Sequence, residues 1–186
     1  MDSKNNIVSF DDEKLILVDE QDNVLGYENK DKCHDGDGIL HRAFSIFIFN
    51  SSNELLLQQR DSSKRLWGGY WSNTCCSHPR KGEDLEAAIA RRLQEELGLK
   101  ADLKYLFKFQ YHASFGEAGS ESELCYVYIG RTDDVPEANY TEVSDWKYMP
   151  IVDMSSDIEV HAKKYTPWFK MEWQRLTDEF LAEIKI

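Results

Sequence analysis

Three histidines and two glutamates carry side chains of the kinds that bind a divalent metal ion. His34 lies in a glycine-containing segment, His41 opens an apolar run, and His78 follows a pair of cysteines. Glu121 and Glu123 are two residues apart at the start of a predicted strand, so both carboxylates emerge on one face, about 6 to 7 Å apart. Imidazole and carboxylate together suit Mn²⁺, Mg²⁺ or Zn²⁺. An alternative stays open, because the sequence has no His-x-x-x-His motif and two solvated acids need no metal.

A further carboxylate is predicted to face inward from a helix over residues 83–97. The segment is rich in Ala, Leu, Glu and Arg, and Gly98 follows it in the position that favours helix termination. At about 100° per residue, one apolar stripe contains Leu85, Ile89, Leu93 and Leu97. Glu96 and Arg92 fall on this stripe, whereas Arg91 and Glu95 turn outward. Either Arg92 and Glu96 form an i,i+4 ion pair at the rim of the core, or Glu96 faces a cation such as a metal ion.

The four cysteines do not form a disulfide framework. They stand at positions 33, 75, 76 and 125, with two adjacent and no Cys-x-x-Cys pair. The N-terminus has no basic patch followed by an apolar run, so it does not resemble a secretory signal. We therefore expect reduced thiols in a cytoplasmic protein, and any single cysteine can equally be a small buried hydrophobe.

Composition restricts the classes of partner. The formal net charge of -12 over 186 residues disfavours nucleic acid, which requires a broad basic face. No stretch approaches the roughly 18 apolar residues of a membrane span. A small anionic substrate remains compatible, because it needs only a local group of cations or a metal. The length predicts one domain over residues 13–186, preceded by a loose tail over residues 1–12.

The elements that would position these side chains alternate between strands and helices. Strands are predicted at 15–18, 24–27, 43–49, 54–59, 102–110, 123–130 and near Trp146, with an extended segment at 71–76 and a loop at 30–38. Besides the helix over 83–97, one helix is predicted after Pro150. The last helix has Thr166 as N-cap and Pro167 at N1, and runs towards Lys185. This order predicts an α+β fold, an α/β/α sandwich in which helices flank a mixed β-sheet.

The helix and the residues before it resemble the Nudix box, a loop-helix motif that binds divalent metal and diphosphate. The resemblance lies in Glu83 and, eight residues later, Arg91-x-Leu93-x-Glu95-Glu96-x-Gly98-Leu99. Two positions differ from the motif: Ser77 stands where the box opens with Gly, and Arg92 stands where the hydrolases have a metal-binding Glu. The second difference puts diphosphate hydrolysis in doubt.

Four further motifs resemble, in order and spacing, the type I isopentenyl-diphosphate isomerases of the Nudix superfamily. They are His34 to Phe44 with Leu-His-Arg-Ala-Phe at its end, Asn-Thr-Cys-Cys-Ser-His-Pro at 73–79, Glu-Ser-Glu at 121–123 and Thr-Pro-Trp-Phe at 166–169. The resemblance spans about residues 14 to 175. It implies a Nudix-like fold and an enzyme that interconverts isopentenyl and dimethylallyl diphosphate through a tertiary carbocation.

The resemblance also implies roles for individual residues. One metal ion would be bound by His34, His41, His78, Glu121 and Glu123. Glu96 would hold Mg²⁺ together with the substrate diphosphate, whose basic neighbours would be Lys30, Arg60, Lys64 and Arg92. Glu123, assisted by Tyr111, would protonate the terminal methylene, Cys76 would take the proton from C2, and Trp168 would face the carbocation.

Simpler interpretations of the same residues stay open on sequence alone. Each Lys or Arg taken singly would be expected at the solvent-exposed surface, and Trp168 can equally be a core aromatic at a helix start. A Nudix hydrolase would use Glu83, Glu95 and Glu96 but would leave Cys76 and the histidines without a role. A non-catalytic binding module is the third possibility. For the isomerase we expect a small diphosphate substrate, no nucleic-acid or membrane partner, and a monomer or weak dimer.

Overall fold

A nine-stranded mixed sheet lies at the centre of the chain in the computed structural model, which describes residues 5–184. Residues 1–4 of the predicted tail and 185–186 of the predicted last helix lie outside the described residues. The strands are β1 (Lys14–Val18), β2 (Val24–Asn29), β3 (His41–Phe49), β4 (Glu54–Arg60), β5 (Trp71–Ser72), β6 (Cys75–Ser77), β7 (Leu103–Ser114), β8 (Ser120–Arg131) and β9 (Val143–Pro150). The helices are α1 (Lys30–Cys33), α2 (Leu85–Leu97), α3 (Ile151–Val160), α4 (Pro167–Glu179) and α5 (Leu181–Ile184).

Strand β3 organises the sheet. It pairs in parallel with β8 from the His41–Glu123 pair to the Phe49–Arg131 pair, and antiparallel with β6. Strand β7 extends the sheet as an antiparallel neighbour of β8, and β1 and β2 follow on the other side of β3. The aromatic and β-branched run at 44–49 accounts for this central position, because both faces of β3 are buried.

Strands β3 and β4 are consecutive in the chain, but they are paired antiparallel only next to the turn that joins them, at Phe49 and Leu55. Beyond that pair they separate, and β4 finds its main partner in β9. Thr74 bridges the gap: its hydroxyl accepts a hydrogen bond from the Ile48 amide at 2.8 Å and donates to the Leu56 carbonyl at 2.6 Å. The extended segment 71–76 is therefore two short strands with a break at Asn73 and Thr74.

The sheet separates two hydrophobic cores. On one face, α2 covers a core containing Phe44, Ile46 and Cys75. On the other face, α3 and α4 cover a core containing Ala43, Phe47 and Phe169. Alternate residues of β3 thus enter opposite cores, as the period of two along a strand requires. The architecture confirms the predicted α+β sandwich of a mixed sheet between helices.

Helix α2 confirms the orientation predicted from its sequence. Arg92 and Glu96 are both buried together with the apolar stripe, whereas Arg91 and Glu95 are partly exposed. The helix begins after Asp84 and ends at Gly98, which has the left-handed φ of 67° that glycine tolerates without strain. Two charged side chains are therefore carried into the interior on a regular helix.

Several predicted boundaries were wrong. The segment 30–38 begins with the single helical turn α1 rather than being a loop throughout. Strands β7 and β8 each have 12 residues, longer than predicted, because their antiparallel ladder continues to a turn at 115–119. The last predicted helix is divided in two, since α4 ends at Glu179 and the short α5 begins at Leu181.

The described part of the N-terminal segment, residues 5–12, contacts the domain through its backbone. The Val8 carbonyl accepts hydrogen bonds from Arg80 and Arg92, and the Asn6 carbonyl accepts from Asn139 and Thr141. These contacts bring the segment to the side of the molecule where Arg92 is buried. Within residues 5–184, no helix has both the length and the apolar character needed to cross a membrane.

Candidate active site

A cavity of about 530 Å³ opens between the sheet, α1, α2 and α4. Many of the residues that line this cavity were predicted from the sequence to have catalytic, metal-binding or diphosphate-binding roles. The lining includes His34, His78, Glu121, Glu123, Tyr111, Cys76, Trp168, Lys30, Arg60, Lys64, Arg92 and Glu96. Of the residues predicted for the site, His41 alone is absent from this lining. It is fully buried, with its ring centre 5.0 Å from that of His34 and 4.7 Å from that of His78.

The three histidines and two glutamates converge on one point. One ligand atom from each residue can be chosen so that all five lie within 4.8 Å of one another. Nε2 of His34 lies 2.8 Å from Oε2 of Glu121, and Nε2 of His78 lies 2.8 Å from Oε1 of Glu123. The cluster draws on α1, β3, β8 and the end of β6, so it forms only when the chain has folded.

Hydrogen bonds from Nδ1 to backbone carbonyls orient two of these imidazole rings. Nδ1 of His34 lies 2.5 Å from the Lys30 carbonyl, and Nδ1 of His41 lies 2.7 Å from the Ile39 carbonyl. A carbonyl accepts only, so Nδ1 carries a proton in both rings, and in the neutral form of each ring Nε2 has the free lone pair. Backbone carbonyls behind metal-binding histidines commonly have this effect.

Burial keeps two of the imidazoles neutral. Burial, together with the neighbouring imidazoles, lowers the pKa of His41 to about 3 and the pKa of His78 well below its usual value. At His34, burial also acts to lower the pKa, but Glu121 outweighs it and the pKa is raised. Neutral imidazole is the form that binds a metal.

The cluster fits a divalent cation. His41 Nε2 is buried and has no hydrogen-bond partner within residues 5–184, a costly state that a metal bond would relieve. Two carboxylates and three imidazoles supply five donors of the kinds that divalent metals accept. His34, His41, His78, Glu121 and Glu123 would hold such an ion, which would act as a Lewis acid at this end of the cavity.

Tyr111 and Glu123 form a hydrogen-bonded pair inside the cavity. The Tyr111 phenol donates to Oε2 of Glu123 at 2.6 Å, from the facing position on the antiparallel strand. Burial raises the pKa of Glu123 above its usual range, and the negative charge of Glu121 raises it further. Burial also raises the pKa of Tyr111 well above 10. Both groups therefore hold protons more strongly than they would in water.

Cys75 and Cys76 point to opposite sides of β6, as the extended register predicts. Cys75 is fully buried in the core under α2, whereas Cys76 lines the cavity together with His78. Nη1 of Arg60 lies 3.9 Å from Cys76 Sγ. Burial raises the pKa of Cys76 to about 12, although Arg60 acts to lower it. The thiol is therefore the form present in the free protein at neutral pH.

Trp168 is buried in the hydrophobic core and also lines the cavity. Its indole Nε1 donates a hydrogen bond of 3.0 Å to Ser72 Oγ, which also contacts the Thr166 hydroxyl at 2.9 Å. Thr166 is the residue before α4, as predicted, but it makes no side-chain cap to the helix. The guanidinium of Arg60 lies 5.3 Å from the ring centre, so the indole already faces one cation.

The other end of the cavity is cationic. Arg92 Nη2 donates to Oε1 of Glu96 at 2.7 Å and to Oε2 of Glu142 at 2.9 Å, and Lys64 Nζ lies 2.6 Å from the same Glu142 oxygen. Lys30 lies nearby and contacts Ser9, and burial together with Lys64 lowers its pKa. The predicted ion pair between Arg92 and Glu96 exists, and Glu96 also lines the cavity, so the two interpretations of this helix are compatible.

Two buried acids were not predicted. Glu142 lies in the loop before β9, where no periodic pattern indicates burial. Glu172 lies four residues after Trp168 on α4, and the same helical-wheel argument that was applied to α2 would have placed it on the buried face. Both are buried beside residues of the site.

Comparison with known proteins agrees with this fold. The model of the NUDIX domain family matches residues 39–169. A crystal structure of a Deinococcus radiodurans protein superposes with a TM-score of 0.66 over 80% of this chain and 90% of that one, at 24% identity. The MutT protein of Methanosarcina mazei superposes with a TM-score of 0.61 over 75% and 94% of the two chains, at 18% identity. The fold and the matched residues define a NUDIX-domain protein.

Sequence comparison with curated proteins identifies the family within the NUDIX-domain class. The chain is 47% identical to isopentenyl-diphosphate Delta-isomerase 1 of Photorhabdus laumondii, over 87% of this chain and 93% of that protein. It is 42% identical to the isopentenyl-diphosphate Delta-isomerase of Pectobacterium atrosepticum, over 91% and 94%. The chain therefore belongs to the isopentenyl-diphosphate Delta-isomerase family of NUDIX-domain proteins.

Proposed function

We propose that this protein is an isomerase that interconverts isopentenyl diphosphate and dimethylallyl diphosphate in the formation of isoprenoid precursors. The observation that carries the proposal is one cavity with three parts: a His/Glu metal cluster, a proton-bearing Tyr111–Glu123 pair, and a thiol at Cys76. A cationic region at the other end suits a diphosphate. The family membership supports the same substrate.

The proposed reaction adds a proton to one carbon and removes one from another. Glu123, hydrogen-bonded by Tyr111, holds the proton that goes to the terminal methylene and acts as the general acid. Cys76 accepts the proton lost from C2 as a thiolate, after its own thiol proton has been released to solvent. The thiolate is disfavoured in the free protein, so Arg60 and the developing carbocation supply the positive charge that favours it. In the reverse direction the two groups exchange roles.

The surroundings protect the carbocation. Trp168 is 2% exposed and presents an aromatic face to the cavity, which stabilises a cation by about 1 to 2 kcal/mol when water is excluded. Tyr111 lies next to it, with 6.3 Å between the ring centres. An apolar, aromatic wall limits capture of the cation by water.

The cationic end is proposed to bind the diphosphate. Lys30, Arg60, Lys64 and Arg92 are the donors, and Glu96 is proposed to hold a Mg²⁺ ion that accompanies the diphosphate. We propose Mn²⁺, Zn²⁺ or Mg²⁺ for the His/Glu cluster. We further propose a cytoplasmic monomer or weak dimer, and the four free cysteines agree with a reducing compartment.

One observation weighs against hydrolysis of a nucleoside diphosphate derivative. Glu83 is hydrogen-bonded to Arg91 at 2.6 Å and Glu95 to Arg91 at 3.0 Å, and neither lines the cavity. Of the three glutamates that resemble the Nudix box, Glu96 is the one that lines it.

The test is product analysis with purified protein, Mg²⁺ and isopentenyl diphosphate. We expect the acid-labile dimethylallyl diphosphate to appear and inorganic phosphate to stay at background. Release of phosphate without an allylic product would establish a hydrolase, and unchanged substrate with every divalent metal tried would establish a binding module. The Glu123→Gln variant serves as the inactive control.

A further inference from the structure

A carboxyl group with no assigned role is buried behind the cavity wall. Glu172 on α4 is fully buried, and its Oε1 lies 3.5 Å from the thiol sulfur of Cys125. Its Oε2 has no hydrogen-bond partner in the described part of the chain. A buried acid is costly, so its presence here calls for a specific interaction that offsets the cost.

Three successive neighbour relations connect Glu172 to Cys76. Cys125 Sγ lies 3.5 Å from the Ser45 hydroxyl as well as from Glu172. Ser45 on β3 is the cross-strand partner of Cys76 on β6, and directly opposed residues of a pair point to the same face of a sheet. Strand β3 lies between β6 and β8, so Ser45 and Cys125 form a polar row that leads from Cys76 to Glu172.

The position of Glu172 on α4 determines where it lies relative to Trp168 and the cavity. It follows Trp168 by four residues, so both side chains leave the same face of α4 towards the sheet. Trp168 lines the cavity, whereas Glu172 lies one turn further on and does not. Any effect of Glu172 on the reaction is therefore transmitted through neighbouring side chains, because Glu172 does not line the cavity.

The charge state of Glu172 follows from its burial. Burial raises the pKa of Glu172 to about 8, and hydrogen bonds with Ser45 and Cys125 lower it only in part. The titratable groups around it are Cys125 and Glu123 on β8 and Cys76 on β6. The negative charge of Glu123 favours the neutral acid, whereas the hydrogen bond with Cys125 favours the carboxylate. At neutral pH Glu172 is a carboxylic acid, which both donates and accepts hydrogen bonds.

We propose that Glu172 is a positioning residue that, as a neutral hydrogen-bonding group, fixes Ser45 and Cys125 and so holds the strand wall from which Cys76 faces the substrate. This inference rests on the proposed role of Cys76 in the isomerisation. The neutral form of Glu172 is sufficient for this role, because hydrogen bonds to the Ser45 hydroxyl and the Cys125 thiol do not require a charge. An amide of the same shape should therefore replace the acid, and a thioether should not.

The test compares Glu172→Gln with Glu172→Met, two changes of similar volume. We expect Glu172→Gln to retain kcat within about twofold, and Glu172→Met to lower kcat about tenfold with an unchanged KM, since the diphosphate contacts lie elsewhere. If Glu172→Met fails to fold, Ser45→Ala replaces it in the test, because Ser45 lies between Cys125 and Cys76. We expect Ser45→Ala to lower kcat by a similar factor with an unchanged KM. Wild-type kcat in Glu172→Met or Ser45→Ala would overturn the proposal, as would a glutamine variant as impaired as the methionine one.

A second readout separates this proposal from the proposed function. The rate of alkylation of Cys76 by iodoacetamide at one pH, followed by mass spectrometry, reports how the thiol is held whether or not the protein is an isomerase. We expect wild type and Glu172→Gln to react equally, and Glu172→Met to differ severalfold. Equal rates in all three would refute the positioning role, whereas an inactive wild type with this pattern would refute only the isomerase assignment.

Discussion

The Tyr111 hydroxyl donates a 2.6 Å hydrogen bond to Oε2 of Glu123, and the two residues face each other across the β7–β8 ladder. The other oxygen of this carboxylate lies 2.8 Å from His78 in the metal cluster. The two oxygens of this carboxyl group thus have different partners. In the proposed mechanism, metal binding is therefore assigned to Oε1 and proton transfer to Oε2.

Replacing Glu123 by glutamine should abolish turnover without unfolding the protein. The amide cannot release a proton, so we expect kcat to fall by about 10³-fold or more, towards the upper range for loss of a general acid. Steady-state kinetics measures this, and the exposed Glu117→Gln in the adjoining turn is the matched control. Activity near wild type in Glu123→Gln would contradict its assignment as the acid.

The two adjacent cysteines form a natural pair of test and control. Cys76→Ala removes the proposed base and should lower kcat by at least about 10²-fold, whereas Cys75→Ala leaves the cavity unchanged. Cys75 is packed under α2, so its loss should lower the free energy of unfolding by about 1 kcal/mol. If Cys75→Ala were the inactive variant, the chemistry would belong to the other face of β6.

Arg92 and Lys64 should differ in what they support. Arg92 is 4% exposed and bonds to two buried carboxylates, so Arg92→Met should lower the free energy of unfolding by about 3 to 5 kcal/mol. Lys64→Met leaves Glu142 paired with Arg92 and should chiefly raise KM, by about tenfold. Urea unfolding and kinetics of both variants check this. A large stability loss in Lys64→Met, or none in Arg92→Met, would contradict the described contacts.

The metal cluster predicts a pH effect on stability when a chelator is present. Because burial holds the pKa of His41 at about 3 against 6.5 in the unfolded chain, only the unfolded state gains a proton between these values. The contribution of His41 is thus complete above pH 6.5 and is lost as the pH falls, by about 2 kcal/mol at pH 5. Thermal unfolding with EDTA at pH 7 and pH 5 measures it.

His41→Gln should lose less stability over that interval, because glutamine does not titrate. At pH 7, added Mn²⁺ or Zn²⁺ should raise the Tm of wild type and raise that of His41→Gln much less. Equal metal-induced shifts in the two proteins would mean that the ion binds elsewhere.

The raised pKa of Glu172 predicts that stability falls as the pH rises, the opposite of the effect described for His41. The pKa of Glu172 is about 8 in the folded protein and 4.5 in the unfolded chain, so the folded state holds the extra proton and stability falls as pH rises between these values. Glu172→Gln removes this loss. Its Tm should exceed that of wild type at pH 8, by on the order of 5 °C, and the difference should shrink towards pH 4.5. A Tm difference that stays constant with pH would show that Glu172 does not titrate in this range.

Much of the fold could be predicted from periodicity. The inward positions of Arg92 and Glu96 follow from a regular helix, and the opposite faces of Cys75 and Cys76 follow from an extended strand. The limits of these rules appear where contacts between distant residues decide. Strand β4 leaves β3 for β9 because Thr74 satisfies the backbone groups that the separation frees, and no local pattern indicates that exchange.

The candidate metal-binding residues were also only partly predictable. Strand alternation places Glu121 and Glu123 on one face, but the convergence of His34, His41 and His78 depends on α1 and β6 meeting at β3. Glu142 was missed because a loop carries no period. Glu172 was missed although its position on α4 gave the signal, since an acid on an amphipathic helix is usually on the solvent side.

The most direct test of the account is solvent-deuterium incorporation by the protein with Mg²⁺ and isopentenyl diphosphate in D₂O, followed by NMR. Protonation of the terminal methylene by a group in exchange with solvent predicts dimethylallyl diphosphate with deuterium in the methyl group formed from that carbon, and none with Glu123→Gln. Recovery of undeuterated isopentenyl diphosphate, or of isopentenyl monophosphate and phosphate, would contradict it.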